Sequence, residues 1–122
     1  MLGRLKKRRE FLAAAKGQKA PRRCFVLERC RRDDNDAARF GFTVSKRTAK
    51  KAVERNRIRR RLKEAVRLDA FKDAQSGHDY VLVGRRSVLS ASFGDLRAEL
   101  AGALREAPRA SSGGARRPRS SQ

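Results

Sequence analysis

Residues 46–67 read KRTAKKAVERNRIRRRLKEAVR, and their periodicity decides how the rest of the chain is organised. If the segment is a helix from about Thr48 to Leu68, then Ile58, Leu62, Ala65 and Val66 fall at i, i+4, i+7 and i+8, one apolar stripe for docking on a sheet. Asn56, Arg60, Lys63 and Arg67 fall on the opposite side, flanked by Arg57, Arg61 and Glu64. Arg55/Arg59, Arg57/Arg61 and Arg59/Lys63 are then like-charge pairs four apart, each destabilising the helix by roughly 0.2–0.5 kcal/mol. Such repulsion is relieved by an anionic partner, and a polyphosphate is the obvious one.

Working outward, Arg39 to Ser45 alternates in strand fashion, with Phe40, Phe42 and Val44 on one side and Gly41, Thr43 and Ser45 on the other. Arg23 to Arg29 does the same, with Phe25 and Leu27 opposed to Cys24, Val26 and Glu28. The polar turn Asp33-Asp34-Asn35-Asp36 separates the two runs, which predicts an antiparallel hairpin. Leu5 to Ala15 reads as a short basic helix with Leu5, Leu12 and Ala15 on one face and Phe11 on its edge; Gly17 and Pro21 break it. Beyond the long helix, Asp79 to Gly84 is a short apolar run, as in a strand covered on both faces. Ser92 and Asp95 start a last helix whose core face is Phe93, Leu96, Leu100 and Leu104. The order helix, strands, helix, strand, helix predicts an αβββαβα-like α/β (α+β) sandwich on a small mixed sheet. Its expected core is Phe25, Leu27, Phe40, Phe42, Val44, Ile58, Leu62, Val66, Val81, Val83, Leu96 and Leu100. Residues 1–107 form the expected single domain, and 108–122 a basic tail with nothing to bury, expected to be disordered.

The whole chain of 122 residues carries 33 Lys and Arg against 13 Asp and Glu, a formal charge of +20. That favours nucleic acid over an anionic membrane, because membrane-surface binders set Trp, Phe or Leu on a broad apolar face, whereas this chain has no Trp and its aromatics lie outside the basic segment. No apolar run has the length of a membrane span and the N-terminus lacks a signal-peptide block, so the cytoplasm is the expected location. Cys24, Cys30 and the lone His78 do not make a zinc set. At an even separation on one extended strand the two thiols sit roughly 20 Å apart, too far for a disulfide, so both are expected reduced. No nucleophile–base constellation appears, and Asp33, Asp34 and Asp36 read as a solvated turn rather than a metal cluster.

The run RFGFTVSKRTAKKAVERNRIRRRLKEAVR resembles the protein subunit of bacterial ribonuclease P. Ser45-Lys46-Arg47 and Ala52-Val53-Glu54-Arg55-Asn56-Arg57-Ile58-Arg59-Arg60 match that family's S-K-(K/R) step and A-V-x-R-N-R-x-(K/R)-R helix start, and the flanks from Leu5 to Leu104 fit as well. The resemblance implies a noncatalytic protein subunit of an endoribonuclease that removes the 5′ leader from precursor tRNA. Catalysis and Mg²⁺ then belong to the RNA subunit, with one protein per RNA expected and no metal bound tightly by the protein alone. It also implies a left-handed βαβ crossover, where general topology favours the right-handed one. Arg55, Asn56, Arg57, Arg59, Arg60, Arg61, Lys63 and Arg67 become the expected contacts to the catalytic RNA, with Arg55 also a candidate for the wall of the leader cleft. Phe11, Val26, Glu28, Thr43, Lys46 and Arg47 become the expected contacts to the leader. Phe11 has two readings, a base-stacking platform or a core residue. Ala15 and Glu28 stand where relatives often carry aromatics, which thins that platform. A ribosomal or RNA-chaperone protein is the alternative that composition alone favours. A basic-zipper DNA binder is excluded, since no apolar heptads follow Asp69.

Overall fold

The computed structural model describes residues 2–106, with the side chain of Phe71 left aside; the expected tail at 108–122 lies outside the described residues. The elements are β1 (Gly3–Arg4), α1 (Arg8–Ala15), β2 (Gln18–Pro21), β3 (Phe25–Arg31), β4 (Arg39–Thr43), α2 (Ala52–Asp69), β5 (His78–Gly84) and α3 (Phe93–Arg105). Single 3₁₀ turns follow α2 and β5. The five strands form one mixed sheet in the order β1-β4-β5-β3-β2. β4 runs parallel to both β1 and β5, while β3 is antiparallel to β5 and β2. The expected mixed α/β architecture is present, and its short edge strands, β1 and β2, lie outside the strand runs read from the sequence.

The expected hairpin does not form. β5 lies between β3 and β4, pairing Val26 with Val83 on one side and Thr43 with Val83 on the other. The Tyr80-Val81-Leu82 run, with all three side chains at most 1% exposed, is apolar on both faces and is most stable in the middle of the sheet. Its two faces carry different cores. Tyr80 and Leu82 join Phe25, Leu27, Phe40, Ile58, Leu62, Leu96 and Leu100 beneath α2 and α3, and Phe40 stacks on Tyr80 with ring centroids 5.0 Å apart. Val81 and Val83, expected in that core, instead face the other way and meet Leu5, Phe11, Ala14 and Cys30 under α1.

Both flanking helices start later than their patterns suggest. α1 begins at Arg8, where Glu10 Oε1 accepts the backbone N–H groups of Lys6 (2.9 Å) and Lys7 (3.0 Å). Those two bonds, and Arg39 at 3.0 Å, hold the Glu10 carboxyl below the usual range. α2 begins at Ala52 rather than Thr48, because Ser45 to Ala49 forms a turn in which Thr48 N–H bonds the Ser45 hydroxyl (3.1 Å) and Ala49 N–H the Ser45 carbonyl. α3 has the expected cap: the Ser92 hydroxyl accepts from Asp95 N–H at 3.0 Å. One buried acid, near the start of the central strand, organises one end of the sheet. Asp79, 3% exposed, accepts Arg32 at 2.5 Å and Arg39 twice at 2.8 Å, which ties the β3–β4 loop to β5.

The cysteines also part company. Cys24 precedes β3 in a bend and is buried in the main core with its thiol 3.6 Å from Glu99 Oε2, whereas Cys30 is half-buried under α1. The expectation that they share a face fails because the alternation does not extend back to Cys24. Both are free thiols, and burial pushes both pKa values up.

Candidate nucleic-acid interface

α2 separates its chemistry by face. Ile58, Leu62, Ala65 and Val66 are buried, while Asn56, Arg57, Arg60, Lys63 and Arg67 are exposed. Among the described residues Arg57, Arg60 and Lys63 make no ion pair, so their charge is available. Arg59, half-buried, donates to Asn56 Oδ1 at 2.8 Å, which orients that amide along the helix. Arg67 is bound in a two-point pair by Glu64, at 2.6 and 2.9 Å.

Two of the expected arginines have structural duties. Arg55 Nη1 donates to the carbonyls of Ala49 (2.9 Å) and Lys50 (2.8 Å), clamping the turn that delivers the chain from β4 into α2. Arg61 Nη1 donates to the Val88 carbonyl, and its guanidinium lies 6.0 Å from the centroid of Phe93. The Arg55 bonds fold back onto the turn before α2 and the Arg61 bond reaches the 3₁₀ turn after β5, contacts that a helix wheel does not record.

One cleft on this side escaped the sequence reading. Leu2, Phe40, Phe42 and Val66 floor a depression of about 300 Å³ rimmed by Arg4, Lys63 and Arg67. Arg4 sits in a two-residue strand, too short to show alternation.

The opposite face of the sheet is only partly covered. Registers place Lys19, Glu28, Val81 and Gly41 in one row, and Pro21, Val26, Val83 and Thr43 in the next. Phe11 lies over the first row against Gly41 and is half-buried with Leu5, Val81 and Val83, which favours the core reading for its ring. The second row stays partly open, so Val26, Val83 and Thr43 make an accessible strip across three strands. Val83 was counted as core by the sequence reading; its register with Val26 and Thr43 places it in this strip instead. Glu28 is ion-paired to Lys19 at 2.6 Å, and the same ammonium donates to the Ala15 carbonyl at 2.9 Å. An ion pair thus occupies the ground where an aromatic platform was considered. Lys46 and Arg47 are exposed in the turn that follows Thr43, where the strip meets the start of α2.

His78 is half-buried, stacked on Tyr80 with centroids 6.1 Å apart. Among the described residues no group of three or more His, Cys, Asp or Glu is placed to hold a metal ion, and no helix is long and apolar enough to cross a membrane. Asp34, in the acidic turn, is engaged by Arg32 at 2.9 Å, which lowers its pKa.

The ribonuclease P family profile matches residues 2–108. The chain belongs to the ribonuclease P protein family. It is 48% identical over 105 residues to a ribonuclease P protein component from Gluconacetobacter diazotrophicus, covering 85% of this chain and 90% of that one. It is 43% identical over 122 residues to the component from Brucella suis, covering 93% and 86%. Among solved structures, the ribonuclease P protein of Thermotoga maritima superposes with a TM-score of 0.72 at 25% identity, covering 85% of this chain and 96% of that one. That of Staphylococcus aureus gives 0.69 at 26%, covering 83% and 91%. As a ribonuclease P protein the chain is a subunit of a ribonuclease that works with the ribonuclease P RNA.

Proposed function

We propose that this subunit binds the catalytic RNA through the exposed side of α2 and holds the 5′ leader of precursor tRNA along the Val26–Val83–Thr43 strip, promoting hydrolysis of the phosphodiester bond that joins leader to tRNA. The observation that carries this reading is the division of α2, which commits Ile58, Leu62 and Val66 to the core and leaves Arg57, Arg60 and Lys63 outward and unpaired. Arginine suits structured RNA because its planar fork takes two phosphate oxygens at once. In an A-form helix, whose base edges lie in a deep groove, phosphates and shape are what a side chain meets.

The strip is suited to a different substrate element. Its apolar surface takes the faces of unpaired bases, and Lys46 and Arg47 lie in the turn beside it for the leader's phosphates. The same turn feeds α2, so one continuous cationic path leads from leader to catalytic RNA. Mg²⁺ and the attacking water are assigned to the RNA subunit, and this chain supplies affinity, orientation and screening of the charge repulsion between two RNAs. One protein per RNA, acting in the cytoplasm, completes the proposal.

The test is reconstitution. Precursor tRNA is cleaved at physiological Mg²⁺ by the cognate RNA subunit, with and without the protein. The expected result is a higher kcat/KM with protein, and a gain that shrinks when the leader is cut to one or two nucleotides. No gain for a full-length leader overturns the reading.

A further inference from the structure

A second cleft lies at the far end of β3 from the leader strip, and nothing in the proposed leader or RNA contacts uses it. It measures about 630 Å³, a size that admits a nucleotide or a phosphate with its waters, and its lining includes Arg29, Arg31, Asn35, Gln75, Ser76 and His78. Arg29 is the unusual member. It is 5% exposed, its Nη2 donates to the Glu106 carbonyl at 2.6 Å, and its Nη1 is buried without an acceptor among the described residues. Buried guanidinium nitrogens are normally satisfied, because the lost hydration has to be replaced. Arg31, two residues along β3, shares its face and is exposed at the mouth. The one carboxylate in the lining, Asp34, is already neutralised by Arg32 at 2.9 Å.

The walls are held in place by backbone contact. A Cβ on Gly17 would stand 2.0 Å from the Arg29 carbonyl oxygen, so the α1–β2 turn presses directly on β3. Gly77 has φ +74°, and a Cβ there would stand 2.4 Å from the Asp34 carbonyl oxygen. Its N–H bonds the Asp36 carbonyl at 2.8 Å and its carbonyl accepts from Arg32 N–H at 2.6 Å. A pre-formed cleft with a net positive lining and an unsatisfied buried donor is organised for an oxyanion.

We propose that this cleft is a phosphate-binding site, with Arg29 as its inner anchor and Arg31 as its outer one. The phosphate comes either from an RNA backbone or from solution as free phosphate. Titration of the full-length protein with inorganic phosphate, exchanged for chloride at constant ionic strength and followed through amide resonances, tests it. Saturable shifts are expected at Arg31, Gly77 and His78. Arg31→Ser, a surface change that leaves the core intact, weakens that affinity roughly threefold, and Arg29→Gln roughly tenfold, while responses along α2 persist in both. Absence of saturable shifts at those three amides, or equal affinity in wild type and Arg31→Ser, overturns the site irrespective of how Arg29→Gln folds. The salt dependence of binding to the ribonuclease P RNA then separates the sources. If the RNA supplies the phosphate, Arg31→Ser lowers the slope by about 0.7–0.9; if free phosphate does, the slope is unchanged.

Discussion

The ring of Phe11 rests directly on Gly41: a Cβ added to that glycine would stand 2.4 Å from the ring's Cε1 and 2.6 Å from Cζ. α1 is therefore seated on β4 through the absence of a side chain, and this contact sets how much of the sheet stays uncovered beside it. Gly41→Ala has to displace the ring and is expected to cost about 1–3 kcal/mol, as overpacking typically does. Phe11→Ala should cost a comparable amount by loss of burial, and the pair should cost less than the sum because both changes act on one contact. Urea denaturation of the three variants measures this; additive losses would mean that Phe11 and Gly41 do not touch in solution.

Arg61 and Arg60 are adjacent in sequence but should separate by phenotype. Arg61 donates to the Val88 carbonyl and lies against Phe93, so Arg61→Ala is expected to lower stability by about 1–2 kcal/mol. Arg60 is exposed, and Arg60→Ala should leave stability within about 0.5 kcal/mol. Thermal or urea unfolding of the free protein decides between them, and equal effects would contradict the contacts described for Arg61.

A negative charge placed in the open strip should discriminate between substrates. Thr43→Asp is expected to weaken binding of precursor tRNA to the reconstituted holoenzyme roughly threefold to tenfold, with little change for mature tRNA, which has no leader. Equal affinities of variant and wild type for precursor tRNA would remove the strip from the leader's path.

Stability should fall on the acid side. Backbone N–H groups of Lys7 and Lys6 hold the Glu10 carboxyl below its ordinary range, Arg86 does so for Glu54, and Arg97 for Asp69. A carboxyl whose folded pKa is depressed contributes fully above its unfolded pKa, near 4, and that contribution is lost as pH falls through the lower folded value. The Tm should thus be insensitive to these groups above about pH 5 and decline below about pH 4, with a shallower decline in Glu10→Gln. A Tm that rises between pH 5 and pH 3, or an unchanged acid limb in Glu10→Gln, would contradict these assignments.

How much of this was legible in the sequence depends on the range of the interaction. The division of α2 follows from a 3.6-residue period acting within one element, and Ile58, Leu62 and Val66 are buried as that period requires. The β3–β4 hairpin was misread because sequence neighbours were paired, although the run at Tyr80–Leu82, apolar on both faces, already marked a central strand. β1 and β2, of two and four residues, are too short to show a period. The roles of Arg55 and Arg61 were invisible for another reason: their acceptors are backbone carbonyls, which every residue carries.

The central claim is that the outward cations of α2 bind RNA by neutralising phosphates, and the salt dependence of ribonuclease P RNA binding measures it most directly. If about five phosphates are neutralised, log Kd should change with log salt at a slope of roughly 3.5 in magnitude. In Arg60→Ala/Lys63→Ala, whose core is untouched, the slope should fall by about 1.4. A double variant that binds with the wild-type slope would contradict the account.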